Sequence, residues 1–257
     1  MAGPLPADLG RWRWAAASRI GTSHLRAGTR KQDAYTINVP APGALCLIVS
    51  DGAGSASHGG QGASLVCRML SGAVRDWMKA RAGLPPDEEV REWIDTIRDR
   101  IALVAEKRGL TKRHFASTLV ALIVRDGEML SLQVGDSALV ARKADSWKAL
   151  CWPENGEFAS TTYFLTDDPE PRLRIVRAAD EYEAFAAFSD GIESVALHHA
   201  AQEPHARFFD PMMKPVDAAV ERGRLMNLSS ALGRYLDGPA ICERTDDDKT
   251  LVLVSRA

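Results

Sequence analysis

The sequence lacks the features by which secreted, membrane-spanning and nucleic-acid-binding proteins are usually recognised. It has no uninterrupted apolar run of about 18 residues, and its first residues do not combine a basic start with a long apolar stretch. Its net charge is only −2, so no excess of positive charge favours nucleic acid or an anionic membrane as a partner. We therefore expect a cytoplasmic protein that binds neither nucleic acid nor membrane.

Cysteine is scarce and widely spaced. The four cysteines are Cys46, Cys67, Cys151 and Cys242. They form no CxxC pair, and three of them lie inside apolar runs. Metal-binding and redox cysteines usually come in closely spaced pairs, whereas isolated cysteines in apolar runs behave as small core residues. The sequence therefore predicts buried, reduced thiols rather than disulfides or zinc ligands.

The hydrophobic pattern predicts one domain over residues 1–257 in which helices interrupt a series of strands. Apolar residues recur at helical spacing over 60–80 and again after Pro85 and Pro86, with further helices near 211–223 and 227–236. Asp126-Gly127 lies between two strand patterns as a hairpin turn. Hairpin-length loops favour antiparallel sheets with helices packed outside them, an α+β fold. Strands are predicted at 12–21, 34–39, 45–52, 117–124, 128–136, 137–143, 146–152, 172–178, 183–190 and 250–255.

Aspartates at the boundaries of these elements are the main chemical signal. They are Asp33, Asp51, Asp136, Asp190 and the run Asp246 to Asp248, and all except Asp33 adjoin an apolar run. Burying a carboxylate without a partner is costly, so these side chains need a reason to lie at the ends of core strands. One reason is convergence on a hard divalent cation, which prefers oxygen ligands. The alternative is that each Asp-Gly pair is only a turn, the interpretation that we adopt for Asp126-Gly127.

Six segments, taken in order, resemble the motifs of the protein phosphatase 2C family, and in particular its bacterial branch. They span residues 21–254, and GEFASTTYFLT (156–166) also resembles a segment of bacterial members. The resemblance implies an αββα sandwich, two mainly antiparallel sheets flanked by helices, and a metal-dependent protein serine/threonine phosphatase. The six segments are GTSHLRAGTRKQDAY (21–35), VSDGAGSASHGGQGA (49–63), ASTLVALIV (116–124), VGDSALV (134–140), FSDGIE (188–193) and TDDDKTLVLV (245–254).

The resemblance also implies roles for individual residues. Asp51 would bridge two Mn²⁺ or Mg²⁺ ions, the Gly52 carbonyl would complete one site, and Asp190 and Asp247 would hold the second ion. Asp33 would act beside them through bound water, and Asp136 matches the residue that supports a third metal. Asp246 and Asp248 would supply local charge or contact the ligands. Hydroxide bridging the two metals would then attack phosphorus directly, consistent with the absence of CxxxxxR and GxSxG motifs.

The sequence departs from the family pattern at the phosphate-binding and proton-donating positions. Gly28 stands where many members have a phosphate-binding arginine, so His24, Arg26 or Arg30 would contact phosphate instead, with His24 and Arg30 preferred. The alternative for the two arginines is a solvated loop charge. Ala53 replaces the histidine of animal members, and His58 either reaches the site or is an exposed loop residue.

Thr118 matches a family position beside the metal carboxylates. A hydrogen bond from its hydroxyl to one of these carboxylates is expected, and an ordinary threonine within the sheet is the alternative.

Three functions fit these residues. The first is hydrolysis of phosphoserine and phosphothreonine in a protein substrate, with a cognate serine/threonine kinase as a further partner. The second is a catalytically silent relative that binds a phosphoprotein or a kinase, which the complete set of aspartates argues against. The third is a phosphatase of small phosphomonoesters, which the metal ligands alone do not distinguish from the first.

Overall fold

The longer strands of the protein form two mainly antiparallel sheets, and two short strands pair separately. The structure is a computed structural model that describes residues 11–155 and 162–257. Within these ranges the longer strands are β1 (Trp12–Arg19), β2 (Ala34–Asn38), β3 (Leu45–Ser50), β4 (Leu119–Arg125), β5 (Glu128–Val134), β6 (Ala138–Lys143), β7 (Ser146–Cys151), β8 (Arg174–Ala179), β9 (Ala184–Phe188) and β13 (Lys249–Arg256). Three two-residue strands are β10 (Leu197–His198), β11 (Glu203–Pro204) and β12 (Gly223–Arg224).

The helices lie outside the sheets. They are α1 (Thr22–Ala27), α2 (Gly59–Ala80), α3 (Asp87–Glu106), α4 (Glu193–Ala196), α5 (Ala206–Ala218), α6 (Met226–Leu236) and α7 (Pro239–Cys242). Short 3₁₀ turns cover Lys112–Phe115 and Asp190–Ile192. No helix in the described ranges combines the length and the apolar character needed to cross a lipid bilayer.

Sheet I has the strand order β12-β1-β13-β9-β6-β7, and sheet II has the order β2-β3-β4-β5-β8. Neighbouring strands are antiparallel except for β12, which runs parallel to β1. Helices α2 and α3 cover the outer face of sheet II, and α5 and α6 cover that of sheet I. The predicted αββα sandwich is therefore confirmed.

Strands with both faces covered explain why the sequence shows continuous apolar runs. In β3, Leu45, Leu47 and Val49 pack in the core between the sheets, whereas Cys46 and Ile48 face the helices. Side chains alternate between the two faces of a strand, so a strand buried on both faces must be apolar at every position.

Element boundaries differ from the sequence prediction where the backbone turns sharply. The strand expected over 128–136 ends at Val134, because Gly135 has a left-handed backbone with φ of +91°. The helix expected near 211–223 instead spans Ala206–Ala218, and Gly223 belongs to a short strand. The family-like segment 156–166 lies partly outside the described residues.

Antiparallel pairing brings the predicted aspartates to one end of the sandwich. Ala34 at the start of β2 pairs with Ser50 at the end of β3, and Leu119 at the start of β4 pairs with Val134 at the end of β5. In sheet I, Phe188 at the end of β9 pairs with Leu251 near the start of β13. Asp33, Asp51, Asp136, Asp190 and Asp247 all lie next to these strand ends.

The contact between α2 and the turn before β4 requires glycine at position 62. A Cβ at Gly62 would lie 2.0 Å from the carbonyl oxygen of Phe115, whereas a Cβ at Gly72 of the same helix would lie 3.8 Å from the nearest atom, in the Arg75 side chain. We expect Gly62→Ala to lower the free energy of unfolding by about 2 kcal/mol through overpacking. Gly72→Ala should raise it by about 0.5–1 kcal/mol because alanine favours the helix. Urea unfolding measures both, and equal effects would contradict this packing.

Candidate functional site

A cleft of about 790 Å³ opens at the end of the sandwich where the aspartates meet. Asp51, Asp136, Asp190 and Asp247 line it, and Asp33 lies beneath with only 4% of its surface exposed. Asp33, Asp51 and Asp136 come from the ends of sheet II strands, whereas Asp190 and Asp247 come from the ends of sheet I strands. The structure therefore brings together all five carboxylates that the sequence singled out as metal ligands.

Among the described residues, only one of the two carboxylate oxygens of Asp33 has hydrogen-bond partners. Its Oδ2 accepts hydrogen bonds from the Ser189 hydroxyl at 2.7 Å and the Thr250 hydroxyl at 2.6 Å. Its Oδ1 is buried and has no hydrogen-bond partner among the described residues. Burial raises the pKa of this carboxyl above its ordinary value, against the hydrogen bonds from Thr250 and Ser189, which lower it. One oxygen is thus anchored while the other remains available for a ligand.

Asp51 lies at the centre of the cluster. Its carboxyl group interacts electrostatically with those of Asp33 and Asp190. Burial raises its pKa well above the ordinary value, and the negative charges of Asp33 and Asp190 raise it further. A positive charge at this point would relieve the repulsion among the three carboxylates.

The backbone around Asp51 is fixed by β4. The Asp51 N–H donates to the Thr118 hydroxyl at 3.0 Å, and the Thr118 N–H donates to the Asp51 carbonyl at 2.8 Å. The neighbouring Gly52 forms an isolated bridge with Ser117, and a Cβ at Gly52 would lie 2.3 Å from the backbone of Gly59. Glycine is therefore required where this loop passes under the start of α2. Thr118 contacts the backbone of Asp51, which corrects the expected hydrogen bond to a carboxylate.

Asp190 and Asp136 complete the acidic lining. Burial raises the pKa of Asp190 to about 7, with the nearby charges of Asp136, Asp247 and Asp33 adding to the shift. Its Oδ1 is buried without a hydrogen-bond partner in the described part of the chain. Burial also raises the pKa of Asp136, against a hydrogen bond from Thr162 that lowers it.

These oxygen donors fit hard divalent cations. The ligands are carboxylates and one nearby backbone carbonyl, two carboxylate oxygens are buried without partners, and the carboxylates repel each other. Across 11–155 and 162–257, no three His, Cys, Asp or Glu side chains already stand in the geometry of a metal site. Binding of cations would offset the repulsion among these carboxylates.

The three consecutive aspartates before β13 have different surroundings. Asp248 is 1% exposed and accepts hydrogen bonds from the Gly21 N–H at 2.6 Å and from the backbone N–H groups of Gln32 and Asp33. Asp246 forms an exposed ion pair with Arg26 at 2.9 Å. Asp247 faces the cleft. Asp248 is thus a structural residue that fixes the loop carrying Asp33, and only Asp247 is placed to contact a ligand in the cleft.

Neither residue preferred for phosphate contact lines the cleft. His24 Nδ1 lies 2.9 Å from Asp248 Oδ1, and Arg30 lines a separate groove beyond the Gly54–Ser55 loop. His58 also lines that groove, with its ring centroid 5.0 Å from that of Phe115. The expectation that His24 and Arg30 contact phosphate is therefore not supported by their position.

The cleft instead contains cationic side chains that the sequence analysis missed. Arg113, from the 3₁₀ turn before β4, and Arg244, just after α7, both line it. Arg113 lies five residues before Thr118. A basic residue so close to the ASTL motif is the sequence feature that could have indicated its position in the cleft. His199 also lines the cleft, directly after β10, with its Nε2 2.9 Å from Glu193 Oε1.

Comparison with known proteins is consistent with this site. A family model described as "Protein phosphatase 2C" matches residues 20–237. The chain is 35% identical over 247 residues to serine/threonine-protein phosphatase 3 of Escherichia coli (strain K12), an alignment that covers 94% of this chain and 97% of the relative.

Solved structures share the fold at lower sequence identity. PppA, "a key regulatory component of T6SS in Pseudomonas aeruginosa", matches with a TM-score of 0.67 and 20% identity over 96% of this chain and 99% of the other. The catalytic domain of the serine/threonine protein phosphatase PstP, in complex with two manganese ions, matches with a TM-score of 0.65 and 16% identity over 96% and 99%. These likenesses show that the chain shares its fold with both proteins.

The different surroundings of Asp247 and Asp248 predict different effects on stability. We expect Asp248→Asn to lower the free energy of unfolding by about 2 kcal/mol, because an amide NH₂ cannot accept the backbone hydrogen bonds that the carboxylate accepts. Asp247→Asn, at an exposed position, should change it by less than about 0.5 kcal/mol. Urea unfolding in the presence of EDTA makes the comparison, and a larger loss for Asp247→Asn would contradict these assignments.

Proposed function

The chain belongs to the protein phosphatase 2C family, and from this premise we propose that it is a metal-dependent enzyme that hydrolyses phosphoserine and phosphothreonine in proteins. The observation that carries the proposal is the convergence of carboxylates from both sheets on one cleft that also contains arginines. Two Mn²⁺ or Mg²⁺ ions bound there would activate water as a nucleophile at neutral pH and offset negative charge on the phosphoryl group.

The position of each carboxylate supports a role in holding these ions. Asp51 interacts electrostatically with both Asp33 and Asp190, which suits a ligand shared between two ions. The Gly52 carbonyl, Asp190 and Asp247 would complete the set, and Asp136 would support a third ion. Asp33, anchored by Ser189 and Thr250, would orient water through its remaining oxygen.

Arg113 and Arg244 are the residues that we propose for binding the substrate phosphate. Both line the same cleft as the carboxylates, and a guanidinium group can donate two parallel hydrogen bonds to phosphate oxygens. They would take the role that the sequence analysis gave to His24 and Arg30.

A cysteine nucleophile is incompatible with the environment of the buried thiols. Cys46, Cys67 and Cys151 are buried, as predicted, and burial raises the pKa of Cys46 to about 12 and that of Cys151 to about 11. Thiols with such pKa values are protonated at neutral pH and do not attack phosphorus. No cysteine among the described residues lines the cleft, so direct attack by activated water is the mechanism that we propose.

The substrate class defines the partners of the enzyme. Phosphoserine and phosphothreonine in proteins are made by serine/threonine kinases, so a cognate kinase acting in the same compartment, for which we propose the cytoplasm, must supply the substrate. The relative from Escherichia coli, named as a serine/threonine-protein phosphatase, supports this substrate class.

Hydrolysis of a phosphothreonine peptide tests the proposed function directly. We expect activity with Mn²⁺, loss of activity in EDTA and recovery when Mn²⁺ is restored. Asp190→Asn should lower kcat/KM at least about 100-fold, because it removes a ligand charge from the site. Release of inorganic phosphate is the measurement.

The matched control is Asp126→Asn, which changes the aspartate of an Asp-Gly pair in a hairpin turn outside the cleft. This variant should keep wild-type activity. Full activity of the wild type in EDTA would refute the metal dependence. Binding of the phosphopeptide without turnover at any Mn²⁺ concentration would indicate a silent relative, and exclusive hydrolysis of small phosphomonoesters would refute the protein substrate.

A further inference from the structure

A second groove, of about 810 Å³, lies beside the acidic cleft and is lined by basic residues. It runs between residues 28–32, the first turns of α2 and the second half of α3. Arg30, Lys31, Arg68 and Arg108 contribute to its walls, and no aspartate or glutamate among the described residues lines it. We call this surface the basic groove.

The cations of the basic groove have no carboxylate partners in the described part of the chain. Lys31 Nζ donates to the Ser18 hydroxyl at 2.7 Å and to the backbone carbonyl of Asp33, and Arg108 donates to the side-chain oxygen of Gln61 at 2.6 Å. Elsewhere, arginines are held by carboxylates, for example Arg142 by Asp217 at 2.8 Å. The positive charge of the groove is thus not neutralised by the protein itself, and it creates a local potential that attracts anionic groups.

The first turn of α2 adds to this potential. Gly59, Gly60 and Gln61 line the groove, and the first turn of this 22-residue helix contains no acidic residue. The N-cap residue of the helix, His58, makes no side-chain hydrogen bond to this turn. The positive end of a helix dipole stabilises anions, so it acts in the same direction as the four side chains.

The basic groove lies next to the acidic cleft. Gly54 and Ser55 line both. Among the described residues, the loop that follows Asp51 and Gly52 therefore forms the boundary between the groove and the cleft. Leu65, Val104 and Phe115 provide an apolar floor to the groove. A polypeptide with a phosphorylated side chain in the cleft could therefore continue across this loop, with its neighbouring side chains in the groove.

We propose that the basic groove binds an acidic segment of the substrate polypeptide, through aspartate and glutamate side chains that flank the phosphorylated residue. Charge complementarity selects this occupant: carboxylates match the unpaired cations, and the apolar floor accommodates their methylene groups. The proposal rests on the proposed function, since it places a protein substrate in the cleft. The groove would select among phosphoproteins without taking part in the reaction.

The test compares three phosphothreonine peptides. One carries a run of acidic residues before the phosphorylated residue, the second carries the run after it, and in the third Asn and Gln replace the acidic residues. With wild-type enzyme, at least one acidic peptide should have the lower KM, and added salt should weaken this preference. Arg68→Glu should raise KM for that peptide about fivefold with kcat unchanged, as expected for reversing one exposed charge. Activity on the neutral peptide and on p-nitrophenyl phosphate should not change.

The matched control is Arg100→Glu, an equal charge reversal at an exposed position of α3 outside the groove. Equal effects of the two variants, or no preference of the wild type for acidic peptides, would overturn the proposal. A lower KM seen only when phosphoserine replaces the acidic run would also overturn the proposal, because the groove would then bind phosphate rather than carboxylates.

Failure of the proposed function can be separated from failure of this inference. If the wild type hydrolyses no phosphopeptide, binding of a fluorescent, unphosphorylated acidic peptide is measured by anisotropy. Weaker binding by Arg68→Glu than by the wild type and Arg100→Glu would support the groove, whereas identical binding by all three would overturn it. Matching thermal unfolding midpoints would show that Arg68→Glu is folded.

Discussion

Mutual repulsion among carboxylates in a poorly solvated space is the constraint on which the rest of this structure depends. Burial and neighbouring negative charge both disfavour the ionised forms of Asp51 and Asp190. The fold holds these groups in place nonetheless, by hydrogen bonds to Asp33 from Ser189 and Thr250 and by the backbone pairing of Asp51 with Thr118. A site that is costly without cations is suited to bind them.

The sandwich architecture is what makes this convergence possible. Sheet II contributes Asp33, Asp51 and Asp136, and sheet I contributes Asp190 and Asp247, so no single sheet carries the complete set. The apolar core between the sheets therefore determines the spacing of the carboxylates as well as the stability of the fold. The local backbone adds a further requirement, since a Cβ at Gly191 would lie 1.8 Å from the carbonyl oxygen of Asp248.

Hydrophobic periodicity predicted most of the secondary structure, because it is local in sequence. The aspartates at strand ends left a turn and a metal ligand as alternatives, and the resemblance to the protein phosphatase 2C family predicted that they converge. The positions of Arg113, Arg244 and His199 could not be predicted in the same way, since they depend on how separate loops meet. Asp247 and Asp248 are adjacent and chemically identical, and only the packing of Asp248 against distant backbone N–H groups explains their different surroundings. The basic groove likewise arises from segments that are far apart in the chain.

Calorimetric titration with Mn²⁺ tests the central claim most directly, because it measures binding without requiring a substrate. If the converging carboxylates form the metal site, the wild type binds Mn²⁺ and Asp51→Asn, which alters the residue at the centre of the cluster, loses at least about tenfold in affinity. Asp126→Asn, which changes a turn outside the cleft, should bind as the wild type does. Identical binding isotherms for the wild type and Asp51→Asn would contradict the account.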